Sequence, residues 1–124
     1  MSGRCRKLII VLARMHWQAA FWVLAAAVLC LALAPASDAM PGTGWDKSNH
    51  LIAFTMLTVS GLRAYPSRVA AVVAGVLVYG GLIELVQSLT PYRTGEWSDL
   101  FVDGIGILAG WSWCAFRRYQ TAKS

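Results

Sequence analysis

The sequence predicts an all-α polytopic membrane protein, folded as a bundle of four transmembrane helices. Three observations lead there. Apolar residues make up 57% of the 124 and charged residues 14%, against about 25% charged in soluble domains. The charges are clustered, which leaves runs of roughly 15 to 20 residues almost free of them, the length that crosses a bilayer. The basic residues are also partitioned. Arg4, Arg6, Lys7, Arg14, Arg63, Arg68, Arg117, Arg118 and Lys123 fall in the two tails and the second-to-third connection, whereas only Lys47 and Arg93 lie in the other two connections. That asymmetry puts both termini in the cytoplasm and requires an even number of spans. It also argues against nucleic acid as the reason for the net charge of +5, because a nucleic-acid surface would gather the charge on one face. A chain of this length holds a single domain. We divide it into a basic cytoplasmic or interfacial tail at 1–16, a membrane domain at 17–116 and a basic cytoplasmic tail at 117–124. The expected location is the cytoplasmic membrane of a bacterium.

The first apolar stretch begins in the patch Leu8 to Ala13, passes an interface marked by His16, Trp17 and Gln18, and spans from Ala19 to Ala34. A secretory leader is the rival reading, with Ala34-Pro35-Ala36 as its cleavage site. The stretch is long for a leader, and proline in the middle of that site is unfavourable. A loop containing Pro35, Pro41, Gly42 and Gly44 leads to the second helix, expected from Asp46 to Arg63. Asp46 and His50 share its first turn and one face, and Phe54, Leu57 and Gly61 continue the stripe. Tyr65-Pro66-Ser67 breaks that helix, with Ser67 as the expected cap of the third.

The third helix, Arg68 to Leu89, holds the least ordinary residue of the chain. From Val69 to Ile83 there is no charged side chain; then Glu84 appears among Leu, Ile and Val, with Gln87 one turn later. A carboxylate in such surroundings needs a partner, and we expect Lys47, His50, Arg93 or Gln87 to supply it. Gly80 and Gly81 lie one turn before it and let a neighbouring helix approach closely. The fourth helix is expected from Asp99 to Arg117, capped by Ser98, with Asp99, Asp103, Gly106, Gly110 and Trp113 on one stripe. The cysteines, Cys5, Cys30 and Cys114, have no metal spacing and no outer pair for a disulfide.

Four spans with short loops form an up-down bundle. That topology brings the starts of helices two and four and the end of helix three to one side, gathering Asp46, Lys47, His50, Glu84, Gln87, Arg93, Asp99 and Asp103. In order and spacing, Asp46-Lys47-x-x-His50-x-x-x-Phe54, Tyr79-Gly80-x-x-x-Glu84-x-x-Gln87 and Arg93-x-x-x-x-x-Asp99-x-x-x-Asp103-x-x-Gly106-x-x-x-Gly110 resemble the VanZ-like family. The likeness covers about Trp45 to Trp111. It implies a small multi-span protein of the kind linked in some members to teicoplanin resistance. The family usually carries Asn where this chain has Asp103.

Two function classes follow. The first is an outward-facing polar site that binds and modifies an anionic lipid-linked or cell-envelope substrate. His50, Glu84 and Asp103 would do acid–base work there, with Lys47, Arg93, Gln87, Asp46 and Asp99 binding the substrate. The second is a non-catalytic accessory, binding or oligomeric carrier protein in which the polar cluster is structural. The partner expected in either case is a membrane lipid or lipid-linked molecule, with a homo-oligomer allowed. No cofactor is expected. His50, Glu84, Asp99 and Asp103 offer N and O ligands, yet nearby Lys47 opposes a cation and the spacing fits no recognised metal pattern, so no metal is expected either.

Overall fold

The computed structural model describes residues 2–34, 45–91 and 96–124, with Trp45 and Asp46 described by backbone alone. Those residues form four α-helices: α1 (Gly3–Leu33), α2 (Trp45–Ala64), α3 (Val69–Leu89) and α4 (Trp97–Lys123). Three of them, α1, α3 and α4, are long and apolar enough to cross a membrane. The fourth, α2, is shorter and less apolar, so of the four expected spans it is the one that its own composition does not establish. The patch Leu8 to Ala13 is continuous with the first span, since α1 runs unbroken for 31 residues. At 1.5 Å per residue this is about 46 Å, well beyond a hydrocarbon core of about 30 Å.

Helices α3 and α4 begin without the serine caps expected of them: the residues preceding them are Arg68 and Glu96, neither with a capping side-chain bond. Ser98 instead donates to the Glu96 carboxylate at 3.0 Å. The α3 to α4 connection otherwise lies largely outside the described residues, as does the Pro35 to Gly44 loop.

Polar in sequence, α2 is nevertheless the centre of the bundle, packing against all three other helices and most extensively against α4. Its buried face carries Phe54, Leu57, Gly61 and Leu62. Its hydroxyls close on its own backbone: Thr55 donates to the Leu51 carbonyl at 2.7 Å, Thr58 to Phe54 at 2.8 Å and Ser60 to Leu57 at 3.1 Å. Such self-satisfaction lets a helix carry hydroxyls where water is absent.

Glycine decides where α4 meets α2. A Cβ at Gly106 would stand 2.9 Å from the Leu51 carbonyl oxygen, and one at Gly110 would stand 2.8 Å from that of Thr55. Backbone therefore lies directly on backbone along this contact, as small residues allow. The expected stripe on α4 is correct from Asp99 to Gly110 but leaves the interface after that. Cys114 is buried, whereas Trp113 is 52% exposed. Gly61 plays the same part between α2, α1 and α3, where a Cβ would meet Val72 at 2.8 Å and Phe21 at 3.0 Å.

Parallel helices α1 and α3 are tied by two side chains. The Tyr79 hydroxyl donates to the Ala25 carbonyl, and the Gln87 amide donates to that of Ala32 at 2.9 Å. Ala32 lies in the last turn of α1, whose carbonyls have no partner within the helix. Large apolar side chains, among them Trp22, Val23, Leu31, Val78, Leu82, Leu85 and Phe101, face outward. An exposed apolar surface of that extent fits lipid rather than water as the surrounding medium.

Candidate functional site

At the end of the bundle where α2 and α4 begin and α3 finishes, three helices bring ionisable groups together. His50 sits one turn into α2, with its ring stacked parallel to Phe54 at a centroid distance of 6.1 Å. Its Nδ1 lies 2.8 Å from Asp103 Oδ1, and the two side chains are 14% and 0% exposed. Asp103 fits there because α3 presents Gly80: a Cβ at that position would come within 2.8 Å of Asp103 Oδ2 and 3.0 Å of the Phe54 ring. Gly80 is therefore the point at which a carboxylate from α4 and a ring from α2 both rest on the backbone of α3.

Glu84, one turn further along α3, is buried, and its Oε2 accepts the backbone N–H of Glu96 at 3.1 Å. The partner expected for Glu84 was a side chain; the one found among the described residues is the backbone at the head of α4. Gln87, read as a neighbour of Glu84, turns to α1 instead. Lys47 is 51% exposed and stands 4.0 Å from Glu96 Oε2. Asp99 is buried, one turn before Asp103. The side chain of Asp46 and all of Arg93 lie outside the described residues. One donor atom each from His50, Glu84 and Asp103 come within 4.8 Å of one another.

This geometry overturns the expectation of an outward-facing site that binds and modifies an anionic substrate. The residues converge as the topology required, but they converge inward. Asp103 has no exposed surface, and the polar atoms of the cluster are engaged with, or shut in by, α2, α3 and α4. Next to the cluster, α4 also seats closely on α2 at Gly106 and Gly110. Two clefts elsewhere have walls that include none of these residues. One, about 360 Å³, lies between α1, α2 and α3 and is almost wholly apolar. The other, about 450 Å³, lies at the opposite end of the bundle and is lined by Arg14, Arg63, Arg117 and Arg118. There Arg63 packs 4.7 Å above the Trp17 ring, and Arg118 donates to the Pro66 carbonyl at 3.3 Å.

A helical bundle with an apolar exterior, three helices fit to cross a membrane and a sealed polar knot defines a multi-pass membrane protein. More narrowly, the sequence pattern of the VanZ/LLP1 family matches residues 7–118, and the chain belongs to that family. No curated protein and no solved structure matches it.

Sequence reasoning found the members of the cluster but missed two features that position them. The role of Glu96 rests on its backbone N–H, which no side-chain pattern announces. Gly80 was read only as a generic contact, although it is the residue that gives Asp103 its place.

Proposed function

We propose that this chain is a non-catalytic membrane protein of accessory or binding type, in which the His50, Glu84 and Asp103 cluster fastens α2, α3 and α4 together. The observation that carries this reading is the complete burial of Asp103 against His50. Among the described residues Asp103 is fully buried against His50, and a group so placed is suited to hold helices rather than to meet a substrate. Buried ionisable groups in membrane proteins are retained for function or for pairing, and pairing is what is seen.

Function should then follow the amount of folded protein. The Glu84→Gln variant, expressed to matched levels in the membrane, is expected to support envelope composition and teicoplanin susceptibility as the unaltered chain does. A variant that is folded and abundant yet inactive in those assays would overturn the non-catalytic reading.

The same proposal takes α2 as the fourth span, with 17–116 as the membrane domain and both termini in the cytoplasm of a bacterial cell. Its 20 residues give about 30 Å of helix, enough for the hydrocarbon core. The arginine-lined cleft supports this orientation, because it gathers basic groups from α1, α2 and α4 at the end opposite the acidic cluster. Reporter fusions after Lys123 and within residues 35–44 are expected to read cytoplasm and exterior respectively. A reporter after Lys123 that reads exterior would invert the arrangement.

A further inference from the structure

We infer that the cluster between α2, α3 and α4 holds one divalent transition-metal cation, ligated by His50, Glu84 and Asp103. The inference rests on the structural reading above and adds the agent that makes such a fastening stable. Three observations carry it.

The first is geometric. The three donor atoms, one from each helix, lie within 4.8 Å of one another. A cation bound at about 2.0–2.3 Å holds its ligands roughly 3 to 4.5 Å apart, so only a small adjustment separates this arrangement from a coordination sphere.

The second is the state of the oxygens. Among the described residues, Glu84 Oε1, Asp103 Oδ2 and, one turn earlier on α4, Asp99 Oδ1 are buried without a hydrogen-bond partner. Glu84 and Asp103 are 7% and 0% exposed. Buried polar atoms are nearly always satisfied, and the orphaned oxygens of Glu84 and Asp103, both members of the 4.8 Å group, point to a ligand that takes both.

The third is charge. Glu84, Asp99 and Asp103 bring three carboxylates, whereas His50 as a ligand is a neutral imidazole, which leaves three negative charges when all are ionised. Lys47, the group that argued against a cation from the sequence, does not fill the deficit: it is half exposed and faces Glu96. A divalent ion offsets two of the three. The mixture of imidazole nitrogen with carboxylate oxygen favours a first-row ion such as Zn²⁺ over Mg²⁺ or Ca²⁺, which prefer oxygen alone. Asp103, standing where the family usually has Asn, supplies the additional anionic ligand in this chain.

The test uses the full chain with its affinity tag removed, in nanodiscs of phosphatidylethanolamine and phosphatidylglycerol, stripped with chelator and then equilibrated with Zn²⁺, Mn²⁺ or Mg²⁺. Elemental analysis after desalting is expected to find about one Zn²⁺ per chain. Thermal unfolding is expected to move up by roughly 5 °C or more with Zn²⁺ at a hundredfold excess over its dissociation constant, with little change in Mg²⁺. Glu84→Gln and Asp103→Asn, both close in shape to the native residues, should abolish the bound Zn²⁺ and the shift, and Lys123→Ala should keep both. If the unaltered chain binds no more metal than Glu84→Gln and its unfolding ignores every cation, the metal site is wrong. Should His50→Ala still lower the unfolding temperature in that case, the cluster remains a fastening held by protons and hydrogen bonds. If neither metal nor His50→Ala moves the unfolding temperature, the structural reading falls as well.

Discussion

Leucine at Gly106 and Gly110 together is expected to leave little or no folded protein in the membrane. A Cβ alone at either position comes within 2.9 Å of a carbonyl oxygen on α2, and at Gly106 it also comes within 3.2 Å of the Thr55 backbone nitrogen. Backbone cannot rotate aside as a side chain can, so α4 must lift from α2 along its whole upper half. Overpacking of a tight contact costs about 1–3 kcal/mol per site. Two sites acting on one interface approach the total stability of an ordinary domain, about 5–15 kcal/mol. The lifting also parts His50 from Asp103, which share that interface. Fluorescence-detected size exclusion of the detergent-extracted protein reads the outcome. Alanine at Gly75 and Gly104, where an added Cβ meets nothing within 4 Å, is the control and should leave the folded peak unchanged. An equal loss at the control sites would mean that helix flexibility, not close approach, is what these glycines provide.

Nearly as large an effect is expected from removing one member of the buried pair. His50→Ala leaves the fully buried Asp103 carboxylate without its partner at 2.8 Å, and breaking a buried ion pair from one side costs about 3–5 kcal/mol. Replacing both members, His50→Leu with Asp103→Leu, removes the stranded charge and should recover part of the loss. The measurement is a double-mutant cycle on unfolding free energy, in which groups in direct contact couple by about 0.5–3 kcal/mol. Purely additive losses would show that the two side chains do not support one another.

The sequence carried the membrane class, the four helices and the meeting of His50, Glu84 and Asp103, because each depends on local pattern or chain order. Hydrophobic runs set the helices, Pro66 ended one of them, and antiparallel connection brought Glu84 beside Asp103. The depth of the cluster was not legible, because depth depends on how far α4 sinks onto α2. That distance is set by the match of Gly106 and Gly110 to particular carbonyls on α2, which neither helix reveals alone. Phase was also lost along α4. A stripe drawn through Trp113 drifts from the helical repeat, and Cys114 continues the face of Gly106 and Gly110 instead. Lys47 was drawn to the site by proximity in sequence, although a lysine at a helix start has a long enough stem to turn toward water and Glu96.

The position of α2 has a consequence for how the chain is made. Synthesis delivers α2 second, yet the groups that complete it arrive last: Asp103 follows His50 by 53 residues, and the glycines that seat α2 lie beyond Asp103. A nascent α2 has its hydroxyls already closed on its own backbone, but it has neither the apolarity to settle into lipid by itself nor a partner for its imidazole. On the reading of α2 as the fourth span, its packing is complete only once α4 has been translated. The most polar helix becomes the keystone of the bundle, and a ribosome stalled before α4 would leave in the membrane a chain whose centre has not yet been set.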